Sequence, residues 1–419
     1  MSTTELHIKN RKKLLAGLPE NAVVLMQSNV AYPKNGGQYH PFRQDSNFLY
    51  LTGIPYPNVC LFLSNNSTQK EILFVRKADQ KQIVWEGKGL TFDRAKTLSG
   101  IENIRNINLF EETISQLIKD KAIIYMDYYP EKEIFLPYKN NFYEQIKKTF
   151  PLANFENINS VLTTLRLIKE KEETDLIRKA VDITCQSFLK IIREVKEGKK
   201  EFEIEALFDL HFKTRGASDH AFYPIVATGK NACTLHYTDN NSILKTGELL
   251  LLDFGAEFNY YASDCSRTIP VSGKFNTRQK ELYEAVLLVF NKAKDFIKPG
   301  LTIEEINLQA ETWFREIHIK LGLYTSEELE RDPNLVKKYF PHGLSHFMGL
   351  DVHDVGEKSI KLEEGMVITC EPGIYIPEEE TGIRLENDLL ITKNGNEDLM
   401  TDIPLKIMEI EALMKDNNL

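Results

Sequence analysis

A chain of 419 residues is too long for one ordinary hydrophobic core, so two domains are expected. The formal net charge of −9 argues against general nucleic-acid binding, and no run of about 18 apolar residues predicts a membrane-spanning helix. The five cysteines are scattered without a CxxC pair, and the N-terminus lacks the apolar core of a secretory signal. These features predict a cytoplasmic protein with reduced thiols.

The first 160 residues alternate short strand-like and helical segments. A helix is predicted at 110–119, and the strand-like segments, rich in aliphatic and aromatic residues, lie at 22–26, 59–63, 71–75 and 122–126. The pattern changes to long helices near 157–165. We therefore predict an α/β domain over residues 1–160 and a second domain over residues 161–419.

Long amphipathic helices dominate the start of the second domain. Apolar residues at helical spacing predict one helix over 169–197 and another over 201–215. A third is predicted over 278–297, and Thr302 with Glu305 forms a capping-box pattern that begins a fourth. Each pair of helices precedes a segment of strand hairpins, which indicates a weak duplication of architecture.

Two aspartates lie in neighbouring strand-like segments of this domain. Asp253 lies near the end of the apolar run 248–254, and Asp264 lies in the less regular segment 260–270. A hairpin that turns near residues 258–259 places the two directly opposite each other, with Cβ atoms roughly 4.5–5.5 Å apart. Taken alone, an aspartate at a strand end is more often a turn or capping residue than a metal ligand.

A second acidic pair repeats this arrangement. Glu371 lies in segment 367–376 and Glu386 in segment 383–391, with an acidic turn between them. Charged side chains inside apolar strands are costly unless something compensates them. Two divalent cations would neutralise the four carboxylates, and oxygen-rich ligation fits a two-metal hydrolytic site. The Glu386 segment can also be read as an ordinary hairpin with a surface ion pair.

Three of the nine histidines, His342, His346 and His353, lie within residues 341–354. Two glycines in the same stretch indicate an irregular, close-packed loop. Neutral imidazole binds divalent transition metals and exchanges protons near pH 7. Any one of these histidines can be a structural loop residue, but three of them beside four strand carboxylates favour a functional site.

Seven blocks of the chain resemble aminopeptidase P, or Xaa-Pro aminopeptidase, in the pita-bread metallopeptidase family that also contains prolidase and methionine aminopeptidase. The order and spacing of the blocks match as well as their composition, and they lie at residues 41–53, 232–237, 252–255, 263–268, 341–354, 370–375 and 382–386. The resemblance implies an α/β N-terminal domain and an α+β pita-bread catalytic domain. Ser345 departs from the family, where glycine is common, and this affects backbone freedom more than chemistry.

The resemblance also implies two divalent metal ions per chain, usually manganese (Mn2+), and roles for individual residues. The implied metal ligands are Asp253, Asp264, His346, Glu371 and Glu386, with Asp264 and Glu386 bridging. The implied catalytic groups are Glu371, His236, His353 and Arg384. The implied substrate-binding groups are His342, Tyr223 and Tyr375. Arg166 matches a supporting arginine, and the alternative for His236 is simple packing beneath its loop.

The implied activity is release of the N-terminal residue from peptides with proline in second position, by a hydroxide that two metal ions activate. Glu371 is then the proton shuttle, while His236 and His353 donate hydrogen bonds to the developing oxyanion. Peptide substrates and a homo-oligomer, dimer or tetramer, are the expected partners, without nucleic acid or membrane. The alternatives are prolidase, which acts on Xaa-Pro dipeptides, and a catalytically inactive peptide-binding module, which the five retained ligands disfavour.

Overall fold

The computed structural model describes residues 3–65, 70–78, 80–119, 121–129 and 137–415. Contacts between Cα atoms divide the chain into two compact units, Met1–Leu165 and Arg166–Leu419. Within the described residues, no helix is long and apolar enough to cross a bilayer.

A six-stranded mixed sheet forms the centre of the first unit. Its strands run in the order β6-β5-β4-β1-β7-β8, and a small β2-β3 hairpin lies apart from it. The strands are β1 Ala22–Gln27, β2 Pro33–Asn35, β3 Gln38–Tyr39, β4 Val59–Ser64, β5 Glu71–Val75, β6 Ile104–Asn106, β7 Ile123–Met126 and β8 Asn154–Asn157. The helices are α1 Thr3–Ala16, α2 Ser46–Thr52, α3 Gln80–Glu86, α4 Phe92–Ser99, α5 Phe110–Leu117, α6 Pro137–Thr149 and α7 Asn159–Leu167, the last of which ends two residues beyond this unit.

The four strand-like segments and the helix expected in this unit are all present. The strands form because their alternate side chains point to the same face of the sheet, where Val23, Leu25, Phe62 and Phe74 are buried together. Phe110, at the start of α5, packs edge-on against Phe74 with ring centroids 5.1 Å apart. The predicted α/β class of the first unit is therefore confirmed.

Helices and antiparallel strands alternate in the second unit. The helices are α8 Lys171–Ile191, α9 Glu201–Thr214, α10 Thr277–Phe296, α11 Ile303–Lys320, α12 Ser326–Arg331, α13 Leu335–Tyr339 and α14 Ile407–Lys415. The helix expected over 169–197 is shorter, because a 3-10 turn over Ile192–Glu194 follows Ile191 and leads to Gly198 in a left-handed conformation. The capping box of α11 is present, with Thr302 Oγ1 accepting from the Glu305 amide at 3.1 Å.

Four small antiparallel sheets complete the second unit. Their strand orders are β10-β11-β14, β13-β12-β9, β15-β18-β19 and β16-β17. The strands are β9 Asp219–His220, β10 Ile225–Thr228, β11 Leu249–Phe254, β12 Ala256–Phe258, β13 Tyr261–Ala262, β14 Cys265–Pro270, β15 Val367–Cys370, β16 Gly373–Ile376, β17 Thr381–Arg384, β18 Asn387–Thr392 and β19 Gly395–Asp398. The helix pairs α8-α9 and α10-α11 each precede one group of strands, as the sequence predicts.

The register of the first hairpin differs from the prediction. Asn259 and Tyr260 both have positive φ, 47° and 72°, so the chain turns one residue later than expected, in the manner of a two-residue hairpin turn. Asp253 therefore faces Ser266, and the direct pairing of Asp253 with Asp264 was wrong. The register moves by two residues, which leaves both carboxylates on one face of the hairpin, because side chains alternate with period two.

The second hairpin is interrupted where its acidic residues lie. β15 pairs with β18 up to Cys370 and Asn387, and β16 pairs with β17 from Gly373 and Arg384 onward. Glu371 and Glu386 lie opposite each other in the gap between these two ladders. The Glu386 amide donates instead to the Ser266 carbonyl at 3.0 Å, and this hydrogen bond ties the second group of strands to the first.

Candidate metal centre

Three of the predicted ligands form a compact cluster. Asp264, His346 and Glu386 each offer one ligand atom, and these atoms all lie within 4.8 Å of one another. Asp264 and Glu386 are 5% and 2% exposed. Burial, and then the neighbouring carboxylates, raise the pKa values of both groups well above the ordinary range. Such crowding favours a positive partner between them.

The loop backbone fixes the orientation of His346. Its Nδ1 lies 3.1 Å from the Phe347 carbonyl, to which it can only donate, so the acceptor of a neutral ring is Nε2. Nε2 lies 3.4 Å from Asp264 Oδ2 and 3.6 Å from Glu371 Oε1. A histidine held by a carbonyl at one nitrogen and facing carboxylates with the other has the orientation of a metal ligand.

Asp253 lines the same cavity as the cluster and is held by Arg384. Arg384 Nη2 donates to Asp253 Oδ2 at 2.6 Å, and Arg384 Nε donates to Ser266 Oγ at 2.8 Å. Ser266 Oγ in turn donates to Glu386 Oε2 at 2.8 Å. Asp253 Oδ1 is buried and has no hydrogen-bond partner among the described residues. An unpartnered buried carboxylate oxygen is costly unless a cation or another donor compensates it.

These residues fit divalent ions by their own chemistry. Four carboxylates and one imidazole supply oxygen-rich ligation, one carboxylate oxygen is orphaned, and two other carboxyl groups have raised pKa values. Hard or borderline divalent cations prefer such oxygen and imidazole donors. All five predicted ligands, Asp253, Asp264, His346, Glu371 and Glu386, line one cavity of about 580 Å³.

The other predicted site residues occupy different depths of this cavity. His236 and Tyr223 are exposed on its wall, Tyr223 to 85%, and His342, His353 and Arg384 line it as well. Burial, and then the neighbouring His346, lower the pKa of His353, so its imidazole is neutral at pH 7. The rings of His346 and His353 lie 4.1 Å apart. The structure thus brings His236 and the histidines of residues 341–354 to one cavity.

Tyr375 is only 2% exposed and reaches the cavity wall through its neighbours. Its hydroxyl accepts from Arg384 Nη1 at 2.7 Å and lies 2.8 Å from His342 Nε2. His342 Nδ1 lies 2.8 Å from the Gly343 carbonyl, so Nε2 accepts from the tyrosine. Burial raises the pKa of Tyr375 to about 12 and lowers that of His342, so both are neutral at pH 7.

Two polar residues beside the cluster were not singled out from the sequence. Ser266 links Arg384 to Glu386, and Asp388 Oδ2 accepts from the Asp264 amide at 3.1 Å. Asp388 is fully buried, and burial raises its pKa well above the ordinary range. Asp388 lies two residues after Glu386, so the period of a strand offered a signal that it shares the same face.

Family models match both units of the chain. Residues 175–393 match metallopeptidase family M24, and residues 7–125 match the N-terminal domain of aminopeptidase P. The chain belongs to metallopeptidase family M24. This M24 protein is a hydrolase of the metallo-aminopeptidase class, and the pita-bread fold expected for its second unit is confirmed. Prolidase, the nearest alternative, is not favoured.

Full-length relatives of this M24 protein resemble it over nearly the whole chain. The Xaa-Pro aminopeptidase of Haemophilus influenzae is 34% identical over 97% of this chain and 96% of its own. The structure of a putative aminopeptidase P from Bacillus anthracis is 36% identical, covers 99% of both chains and superposes with a TM-score of 0.93. Zinc-substituted aminopeptidase P from Escherichia coli, in complex with product, is 30% identical, covers 100% of this chain and 99% of that one, and has a TM-score of 0.90.

Proposed function

We propose that this enzyme releases the N-terminal residue from peptides with proline in the second position. The observation that carries the proposal is the cavity itself, which five proposed metal ligands and three further histidines line together. Two relatives that match 97% of this chain, from Haemophilus influenzae and Escherichia coli, are named for this specificity. A cavity of about 580 Å³ has the size of an ordinary small-ligand site, where a short peptide end fits.

We propose two divalent ions per chain, held by Asp253, Asp264, His346, Glu371 and Glu386, with manganese as the physiological metal. The carboxylate-rich ligand set supports manganese. Divalent ions there would supply Lewis-acid polarisation of the scissile carbonyl and lower the pKa of water.

We also propose a homo-oligomer in the cytoplasm. The five free cysteines, four of them buried, support a reducing compartment.

Glu371 is the group best placed to move the proton. Its Oε2 lies 3.7 Å from His342 Nδ1 and its Oε1 lies 3.6 Å from His346 Nε2, so it borders both the ligand cluster and the open cavity. From there it takes a proton from the attacking water and delivers it to the proline nitrogen as the bond breaks. His236 and His353 donate to the carbonyl oxygen while negative charge develops on it.

The bond before proline explains the need for a dedicated pocket. This amide carries no N–H, so an enzyme that accepts it does not have to satisfy a donor at that position. His342 and Tyr223 are the proposed walls for the pyrrolidine ring. Tyr375 is proposed to act indirectly, since its hydroxyl keeps His342 and Arg384 in place.

A comparison of matched peptides tests the proposal. The protein is first stripped with chelator and reconstituted with manganese, and elemental analysis then counts the bound ions. It should cleave Xaa-Pro-Yaa tripeptides and leave Xaa-Ala-Yaa peptides largely intact. Equal rates on the two series contradict the proline pocket. A strong preference for Xaa-Pro dipeptides returns the assignment to prolidase, and full activity without metal contradicts the proposed metal site.

A further inference from the structure

Glu201, at the first position of α9, is a fully buried acid that no part of the proposed mechanism uses. Its carboxylate accepts four hydrogen bonds, all from neutral donors. Oε1 accepts from the Thr228 amide at 2.8 Å and from Asn231 Nδ2 at 3.0 Å. Oε2 accepts from the Tyr237 hydroxyl and the Ser242 amide, both at 2.8 Å.

The four donors all belong to one stretch of chain, residues 228–242. They lie at its start, its middle and its end, so hydrogen bonds to a single carboxylate connect distant parts of the stretch. The Glu201 amide also donates to the Ser242 carbonyl at 3.0 Å. A carboxylate can accept about four such bonds, so its acceptor capacity is filled. A buried carboxylate is costly unless its oxygens are hydrogen-bonded, so these four bonds compensate the burial of Glu201.

This stretch carries His236, which lines the cavity beside the metal cluster. Apart from a 3-10 turn over Gly229–Cys233, the stretch after β10 has no helix or strand of its own to stiffen it. Apolar packing holds part of it, because Leu235 and Tyr237 lie against a core that includes Tyr375. His236 itself is exposed, so its position depends on the backbone on either side of it.

We infer that Glu201 is a positioning residue for the reaction: it holds the 228–242 segment so that His236 faces the scissile carbonyl. The inference rests on the proposed function of His236. Tyr237 provides the most direct connection, since it follows His236 in the chain and its hydroxyl bonds to Glu201. A displacement of about 1 Å at a catalytic group can cost 10²-fold in rate, so a remote anchor of this kind is kinetically important.

Glu201→Gln tests the inference, with Glu203→Gln as the matched control. Glutamine keeps the shape but presents an N–H₂ group to donors at one of the two oxygens. Glu203 lies on the same turn, is exposed, and bonds only to the Lys200 amide among the contacts described. Glu201→Gln should lower kcat/KM about 10- to 100-fold, mostly in kcat, while two metal ions remain bound. Glu203→Gln should leave the rate within twofold.

A double-mutant cycle separates positioning from general stability. In a His236→Ala background, where the donor is already absent, Glu201→Gln should lower the rate less than twofold further. Hydrogen exchange of metal-free protein gives a second reading that needs no activity. Amides of residues 228–242 should exchange faster in Glu201→Gln than in wild type or Glu203→Gln.

Unchanged kinetics in Glu201→Gln, or an undiminished effect in the His236→Ala background, would overturn the inference. If Glu201→Gln does not fold, Tyr237→Phe replaces it in the same cycle, since it removes one donor and leaves three. If the wild type fails to cleave Xaa-Pro peptides, the proposed function fails, and hydrogen exchange still decides whether Glu201 holds the segment.

Discussion

Arg384 donates to Asp253 across 2.6 Å and so compensates one oxygen of the aspartate, while the other has no hydrogen-bond partner within the described chain. The guanidinium also reaches Ser266 and Tyr375. One buried cation thus fixes the orientation of a proposed metal ligand and leaves its other oxygen without a hydrogen-bond partner. A planar fork with several donors is needed for this, which a lysine does not provide.

Arg384→Ala should destabilise the metal-free protein by about 3–5 kcal/mol, because it leaves a buried acid without its partner. Arg384→Lys keeps the charge but cannot bridge three groups, so it should lose about 10- to 100-fold in metal affinity or activity. Urea unfolding and metal titration measure the two effects. Arg178→Lys is the control, since Arg178 pairs with Glu397 on the surface and the exchange should change stability by less than about 1 kcal/mol.

Asp264→Asn and Glu386→Gln should lose bound metal and peptidase activity together. Both carboxylates belong to the cluster of ligand atoms within 4.8 Å, and an amide supplies a weaker, neutral ligand. Elemental analysis and steady-state kinetics on the same preparation give the answer. Glu378→Gln, which removes a surface acid paired with Lys338, should keep both properties. A variant with two metal ions and a near-native rate contradicts the proposed ligand set.

His318 should make the second unit sensitive to acid. It is fully buried, and burial lowers its pKa from 6.5 to about 3. Because the unfolded chain binds the proton more tightly, the stabilising contribution of neutral His318 is complete above about pH 6.5 and falls as the pH drops towards 3. The loss should approach about 1.4 kcal/mol per pH unit within that window.

His318→Gln removes this titration. Its stability should therefore depend less on pH than that of the wild type between pH 6 and 4, even if it is less stable at pH 7.5. Trp313 lies on the same helix, so its fluorescence in a Trp85→Phe background reports unfolding of this region. Equal pH dependence in the two proteins means that His318 is not the titrating group.

Gly255→Ala should be costly although Gly255 has no positive φ. A Cβ atom there would meet the Ser263 carbonyl oxygen at 1.8 Å, and a backbone atom cannot rotate away as a side chain does. We expect a loss of about 1–3 kcal/mol or more, with weaker metal binding because Asp264 follows Ser263. Gly395→Ala, where nothing lies within 4 Å of the added atom, is the control. Thermal melting of metal-free and metal-loaded protein measures both.

The sequence predicted the candidate site where the site depends on residue types that are unusual in their setting, such as carboxylates in apolar strands. The strand carboxylates and clustered histidines predicted a cluster because charge inside apolar strands demands a partner, and motif order added the family. The register of the first hairpin was beyond this reasoning. It depends on Asn259 and Tyr260 both adopting left-handed conformations, which tyrosine seldom does, so no local signal marked the turn.

Residues that act through long-range hydrogen bonds could not be predicted from the sequence either. Glu201 resembles any acid in the first turn of a helix, where a negative charge is commonplace. Only the return of residues 228–242 to the start of α9 shows that its carboxylate is buried under four donors. Such long-range partners are set by tertiary packing, which composition and periodicity do not encode.

The hydrogen bond from the Glu386 amide to the Ser266 carbonyl ties two groups of strands together across 120 residues of sequence. A chain that is still being synthesised therefore has every other predicted ligand available before it has Glu386. A chain that ends before residue 386 therefore lacks one proposed ligand and the hydrogen bond to Ser266, and we expect it to bind metal weakly and to have no peptidase activity.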